Sequence, residues 1–173
     1  MAGVGLAVEI KADAALAALG KAEAKTEQPR DLYDAIGLAL LASTDYRFET
    51  EQSPDKTPWP KSMRVLLEGG KTLTDSGHFR SSMAHEATDT GVAVGTNAIQ
   101  GAIHQFGGVI RAKNAKALAF SIGGEKVFVQ SVTMPARPYL GLSDDDEADI
   151  IALAGDWLTE PLGSSTEQVG VDG

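Results

Sequence analysis

Cysteine is absent from the 173-residue chain. That excludes a disulfide framework, thiolate zinc sites and cysteine nucleophiles together. No run approaches the roughly 18 unbroken apolar residues that a membrane-spanning helix needs. Met1 to Ile10 lacks a basic segment and already carries Glu9, so no secretory leader is expected there. Bases are also missing after Arg137, where nine acids follow: Asp144, Asp145, Asp146, Glu147, Asp149, Asp156, Glu160, Glu167 and Asp172. The chain holds 15 Lys plus Arg against 24 Asp plus Glu, so residues 1–137 balance and the C-terminal segment carries the whole net charge of −9. Tight binding to a phosphate backbone needs a clustered basic face, which this distribution does not supply. With 43% hydrophobic and 23% charged residues, the composition predicts a soluble, intracellularly made globular protein able to bury a sizeable core.

Catalytic motifs are equally sparse. Gly70-Lys71-Thr72 has the look of a phosphate-loop end, but Val65 stands where the earlier glycine is required and no apolar strand precedes it. Asp75-Ser76-Gly77-His78 lacks the Gly-x-Ser-x-Gly context of a nucleophilic serine. His78, His85 and His104 form no helical His-x-x-x-His pair, so surface or hydrogen-bonded histidines are expected rather than a metal site. No catalytic, metal or cofactor-binding residue is assigned, and the expectation is a protein that is not an enzyme. One enzymatic alternative stays open, a hydrolase using His104 and a carboxylate such as Asp75.

The pattern of what is present predicts an α+β fold, with N-terminal helices and a C-terminal helix packed on a small, mainly antiparallel β-sheet. Leu6, Val8 and Ile10 alternate with Ala7 and Glu9 as a short strand, and Asp13 caps an Ala-rich helix running to about Lys25. A second helix starts after Pro29 and runs toward Phe48, its apolar residues Leu32, Tyr33, Ile36, Leu40, Leu41 and Phe48 recurring mostly at three- and four-residue steps. Gly37 within it hints at close packing. Trp59, between Pro58 and Pro60, reads as an anchor pinning a proline-rich loop to the core. Lys61 to Glu68 is a short helix stopped by Gly69 and Gly70, and Gly77 anchors a turn into a helical segment from His78 to Ser82. Val92 and Val94 mark a strand; residues 117–122 and 125–132 pair as a hairpin through Gly123-Gly124. Ser143 caps the last helix, whose first-turn acids read as a solvated start, and Pro161 and Gly163 end it. The domain division that follows is an N-terminal strand and helix at 1–28, the main domain at 29–162 and a disordered acidic tail at 163–173.

Ile103-His104-Gln105-Phe106-Gly107-Gly108 stands out as a sharp chain reversal with a hydrogen-bonded corner, either a structural loop or an interface. Taken in order, Ser53-Pro54-Asp55, Trp59-Pro60, Leu73-Thr74-Asp75-Ser76-Gly77-His78-Phe79-Arg80-Ser81-Ser82, Val94-Gly95-Thr96-Asn97, this corner, and Arg137-Pro138-Tyr139-Leu140-Gly141 resemble the phage virion morphogenesis family, the tail completion proteins of Mu-like tailed phages. Phe79 sits where that family usually has leucine, and Gln100-Gly101-Ala102 replaces its common Tyr-Ala.

The resemblance implies a structural part of the neck or tail that joins tail to head, made in the host cytoplasm and placed at the head–tail junction of the virion. It implies a ring of copies of itself, six by analogy with tail tubes, contacting neck, tail terminator or tail tube proteins. DNA passes through such a ring without sequence-specific binding, helped by an acidic lumen, and no membrane is involved. Tail terminator and non-virion assembly factor are the alternatives of the same kind. Candidate subunit contacts are Ile103, His104, Gln105, Phe106, Gly107 and Gly108, together with Arg137, Pro138, Tyr139 and Leu140. Trp59 and Gly77 are the candidate structural anchors.

Overall fold

The computed structural model describes residues 6–9, 29–113 and 115–159. The Ala-rich helix expected from Asp13 to Lys25, the helix stop at Pro161 and Gly163 and the tail at 163–173 lie outside the described residues.

Helix α1, Pro29–Thr50, is the spine of the molecule. Proline opens it, where its missing N–H is one of the unpaired donors of a first turn and its φ is already helical. Leu32, Ile36, Leu40, Thr44 and Phe48 recur every fourth residue and are buried. That stripe lies against strands β2 (Met83–Thr88) and β3 (Gly91–Thr96) and against helix α5 (Asp144–Thr159). Gly37 is the point of closest approach to the sheet. A Cβ built there would stand 2.4 Å from His85 Cδ2 and 2.9 Å from Val92 Cγ2, so only glycine lets the helix sit this low.

Between α1 and the sheet come two short helices, α2 (Met63–Glu68) and α3 (His78–Ser81). Ser62 caps α2 by accepting the Val65 N–H, and Gly69, at φ +81°, ends it. Gly70-Lys71-Thr72 therefore follows a helix instead of leading into one. Gly77 enters α3 in the left-handed region at φ +79°, as its anchoring position requires.

The described strands form three small antiparallel sheets where the sequence predicts one. β1 (Leu6–Glu9) and β2 flank β3; β4 (Gly108–Arg111) pairs with β7 (Ser131–Met134); β5 (Leu118–Ile122) pairs with β6 (Glu125–Val129). The Gly123-Gly124 hairpin is present, with Ile122 opposite Glu125 and Leu118 opposite Val129. It stops earlier than the run 125–132 suggests, because the chain changes partner at Gln130. There the backbone carbonyl accepts the Ala112 N–H at 3.2 Å and the side-chain amide donates to Lys116 O at 2.6 Å. Residues after Gln130 then pair with β4.

The core gathers Phe48, Trp59, Phe79 and Tyr139 with the aliphatic face of α1 and with Ile150 and Ala154 of α5. Trp59 stands edge-on to Phe48 at 5.6 Å, and its indole N–H donates to Pro138 O at 2.9 Å. It is the buried anchor its flanking prolines predict.

Candidate assembly site

Helix α4, Gly101–Phe106, carries all of the Ile-His-Gln-Phe motif. The predicted corner is thus the end of a helix, closed by Gly107 at φ +69° with its N–H on Ile103 O. A side chain at Gly107 would come within 2.7 Å of Ala136 N and 3.0 Å of Met134 O, so the glycine also admits the neighbouring strand.

This helix end is clamped to the Arg-Pro-Tyr-Leu segment. The Gln105 carboxamide serves three backbone groups: Oε1 accepts from Tyr139 N at 3.1 Å and Leu140 N at 3.0 Å, while Nε2 donates to Leu140 O at 2.8 Å. Arg137 N adds a bond to His104 O at 2.7 Å. The two motifs that stand 35 residues apart in the chain thus form one unit.

The clamp corrects part of the expected contact set. Arg137, Tyr139 and Leu140 are buried inside the subunit, Tyr139 completely, with its ring packed between Phe48 and Phe79. Tyr139 and Leu140 build the core, whereas Arg137 lines a cleft on the other side; Pro138 is half-buried, its carbonyl held by Trp59. Ile103, His104, Gln105 and Gly107 are also half-buried, whereas Phe106 and Gly108 reach the surface. Phe106 is 67% exposed and continues into exposed Val109 (49%) and Ile110 (40%) on β4. Val109 and Ile110 escape motif reading because their strand is too short to show alternation.

A second position is legible only in three dimensions. Arg47, on the buried stripe of α1, pairs with Asp146 in the first turn of α5, and both are buried. Arg47 also donates to Tyr139 O at 3.1 Å and Gly141 O at 3.0 Å. Asp146 accepts from Ser143 N and Oγ, each at 2.7 Å, and returns its own N–H to Ser143 Oγ at 3.2 Å. This is a capping box, whose Ser-x-x-Asp signature is present in the sequence. The predicted solvated helix start is therefore corrected at this acid, since one of the four turns inward. Burial works against both charges and pulls the Arg47 guanidinium down. Burial pushes the Asp146 carboxyl up, but hydrogen bonds from Ser143 and Ser43 and the Arg47 charge outweigh it and leave the group below the ordinary carboxylate range.

The residues of the hydrolase alternative sit apart in character. Burial and the Arg137 charge push His104 down to about 4, and its ring packs on Phe79 at 5.6 Å. Asp75 is largely exposed and pairs with Arg64 at 3.5 Å. Hydrogen-bonded to a carboxylate is another histidine, His85, with Asp34 at 2.7 Å. Among the described residues no three His, Asp or Glu side chains are grouped to hold a metal ion, and no helix is long and apolar enough to cross a membrane.

Comparison with known proteins matches residues 10–159 to the model of the phage virion morphogenesis family. The chain belongs to that family. It is also 33% identical over 92 residues to the Mu-like prophage FluMu G protein 2 of Haemophilus influenzae, a match covering 53% of this chain and 55% of the relative. The chain thus spans about half the length of the curated relative it matches. No solved structure matches. Both the clamp and the Arg47–Asp146 pair of this virion morphogenesis protein fall inside the matched span.

Proposed function

We propose that this protein is a structural component of the phage neck or tail, acting in tail completion at the head–tail junction. Copies associate side by side into a closed ring, six by the symmetry of tail tubes. The supporting observation is the exposed apolar run Phe106, Val109 and Ile110, which continues from a helix end held rigid by the Gln105 clamp. Rigid presentation lowers the ordering cost of association, and a contact between two different faces of one chain gives a ring when its rotation closes. β4 also leaves one edge unpaired among the described strands, so backbone pairing with a neighbour is available beside the apolar side chains. An apolar contact of this kind is only weakly sensitive to salt.

Complementation of a phage lacking this gene is the test. A Phe106→Asp, Ile110→Asp double variant that folds is expected to yield heads and tails that fail to join, and the wild-type protein is expected in purified virions. Full complementation by the double variant overturns the contact surface. Absence of the wild-type protein from finished particles turns the reading toward an assembly factor.

A further inference from the structure

The two buried arginines are treated differently by the fold. Arg47 has a carboxylate, a hydroxyl and two carbonyls around it. Arg137, only 3% exposed, has Pro60 O on its Nε–H at 2.7 Å, and its Nη1 has no hydrogen-bond partner. No carboxylate pairs with it among the described residues, and burial pulls its guanidinium down with nothing to oppose the effect. A buried guanidinium without a counter-charge is among the costliest groups a protein retains. A trapped water would satisfy the hydrogen bond and leave the charge uncompensated.

Arg137 lines a cleft of about 290 Å³ whose other polar walls include Arg64, Asp75, Gln100 and His104. His78 lines the cleft as well, and the other charged and titratable groups sum simply. Asp75 neutralises Arg64. His104 is held neutral near pH 7, with its Nδ1 buried and unpartnered. One positive charge remains, beside the unpartnered Nδ1 of the residue whose carbonyl binds Arg137 N. A neutral imidazole in the Nδ1–H form donates one hydrogen bond. A monoanion with two adjacent oxygens uses both the guanidinium and that donor, while a phosphate dianion brings one charge too many.

We propose that this cleft is a carboxylate-binding site, with Arg137 as its charge partner and His104 as its second donor. Two sources of a carboxylate are at hand. One is this chain's own acidic segment beyond the described residues, with Glu160, Glu167 and Asp172. The other is an acidic side chain of a separate protein.

The test follows the arginine Nε–Hε resonances of the full-length protein during titration with sodium acetate, chloride holding the ionic strength constant. The Arg137 signal is assigned by its loss in Arg137→Lys, or by its contacts to the Pro60 loop if that variant does not fold. A Glu160→Gln, Glu167→Gln, Asp172→Asn variant of the full chain is titrated in parallel. Saturable movement of the Arg137 signal, equal in both proteins and weakened at least threefold by His104→Leu, supports the site with a carboxylate from another protein. Saturable movement that is several-fold tighter in the triple variant supports the site with the chain's own segment as occupant. No saturable response to acetate in either protein, or a tighter response to inorganic phosphate, overturns the proposal.

Discussion

Arg47 and Asp146 lie 99 residues apart in sequence and meet as a buried ion pair that ties the first long helix to the last. Breaking such a pair by removing one partner leaves an uncompensated charge in the core. Asp146→Asn and Arg47→Met are each expected to lower stability by about 3–5 kcal/mol. The double change Arg47→Met, Asp146→Leu is expected to recover much of that loss. Denaturant unfolding of the four proteins checks it, and a loss in the double variant equal to the sum of the single losses would show the pair to be uncoupled.

The same pair contributes to the loss of stability in acid, as do the lowered carboxylates Asp45, Glu49 and Glu51. The Asp146 carboxyl is depressed in the folded state below its ordinary 3.8, so its contribution is fully present above about pH 4 and disappears as the pH falls through the folded value. His104 acts in a separate, higher window. Its folded value of about 4 lies below the ordinary 6.5, so the unfolded chain binds the extra proton first and stability declines between those values as pH falls. Partial exposure reduces the size of the effect, to the order of 1–2 kcal/mol. His104→Gln is expected to flatten the stability profile between pH 6.5 and 4 while leaving the steeper loss below pH 4 in place.

Trp59→Ala is expected to cost about 3–5 kcal/mol by opening a cavity against Phe48. Trp59→Phe keeps part of the packing and loses the bond to Pro138 O, a change of about 1–3 kcal/mol. An unchanged melting temperature for the alanine variant would contradict the burial of this side chain.

Gly37→Ala is expected to destabilise although alanine is the better helix former by about 1 kcal/mol. The added methyl meets the His85 ring and Val92 at less than contact distance, an overpacking worth about 1–3 kcal/mol. It also disturbs the His85–Asp34 hydrogen bond. Thermal unfolding of the variant gives the sign directly.

Gln105→Leu deprives two N–H groups and one carbonyl of their partners. The expected loss is about 1–3 kcal/mol for each group that water cannot reach. Faster amide exchange at Tyr139 and Leu140, ahead of the rest of the core, is the signature of an opened clamp.

Where local chemistry decides the structure, the sequence is readable. Pro29, the four-residue steps from Leu32 to Phe48, Gly37, the proline-flanked Trp59 and the Gly123-Gly124 turn each act through neighbours in the chain, and each appears where expected. What stays hidden depends on distant partners. Strand β2, Met83-Ala84-His85-Glu86-Ala87-Thr88, shows no apolar alternation and becomes a strand by pairing with β3. The switch at Gln130 needs Ala112 and Lys116 to be in place. Arg137 to Leu140 look like a surface motif because two of the four residues are polar or ring-constrained, yet the pocket beside Phe48 and the Gln105 amide draw three of them inside.

The closing of the core by residues 137–146 has a consequence for how the chain is made. Phe48, Trp59 and Arg47 leave the ribosome long before Tyr139, Pro138 and Asp146, the groups that complete their surroundings. Until then the nascent chain exposes an aromatic cluster and a cation with no counterpart, and contacts this far apart in sequence form late. A polypeptide interrupted before Tyr139 is accordingly not a shorter working subunit. Without those groups its aromatic cluster and the Arg47 charge have nothing to close on.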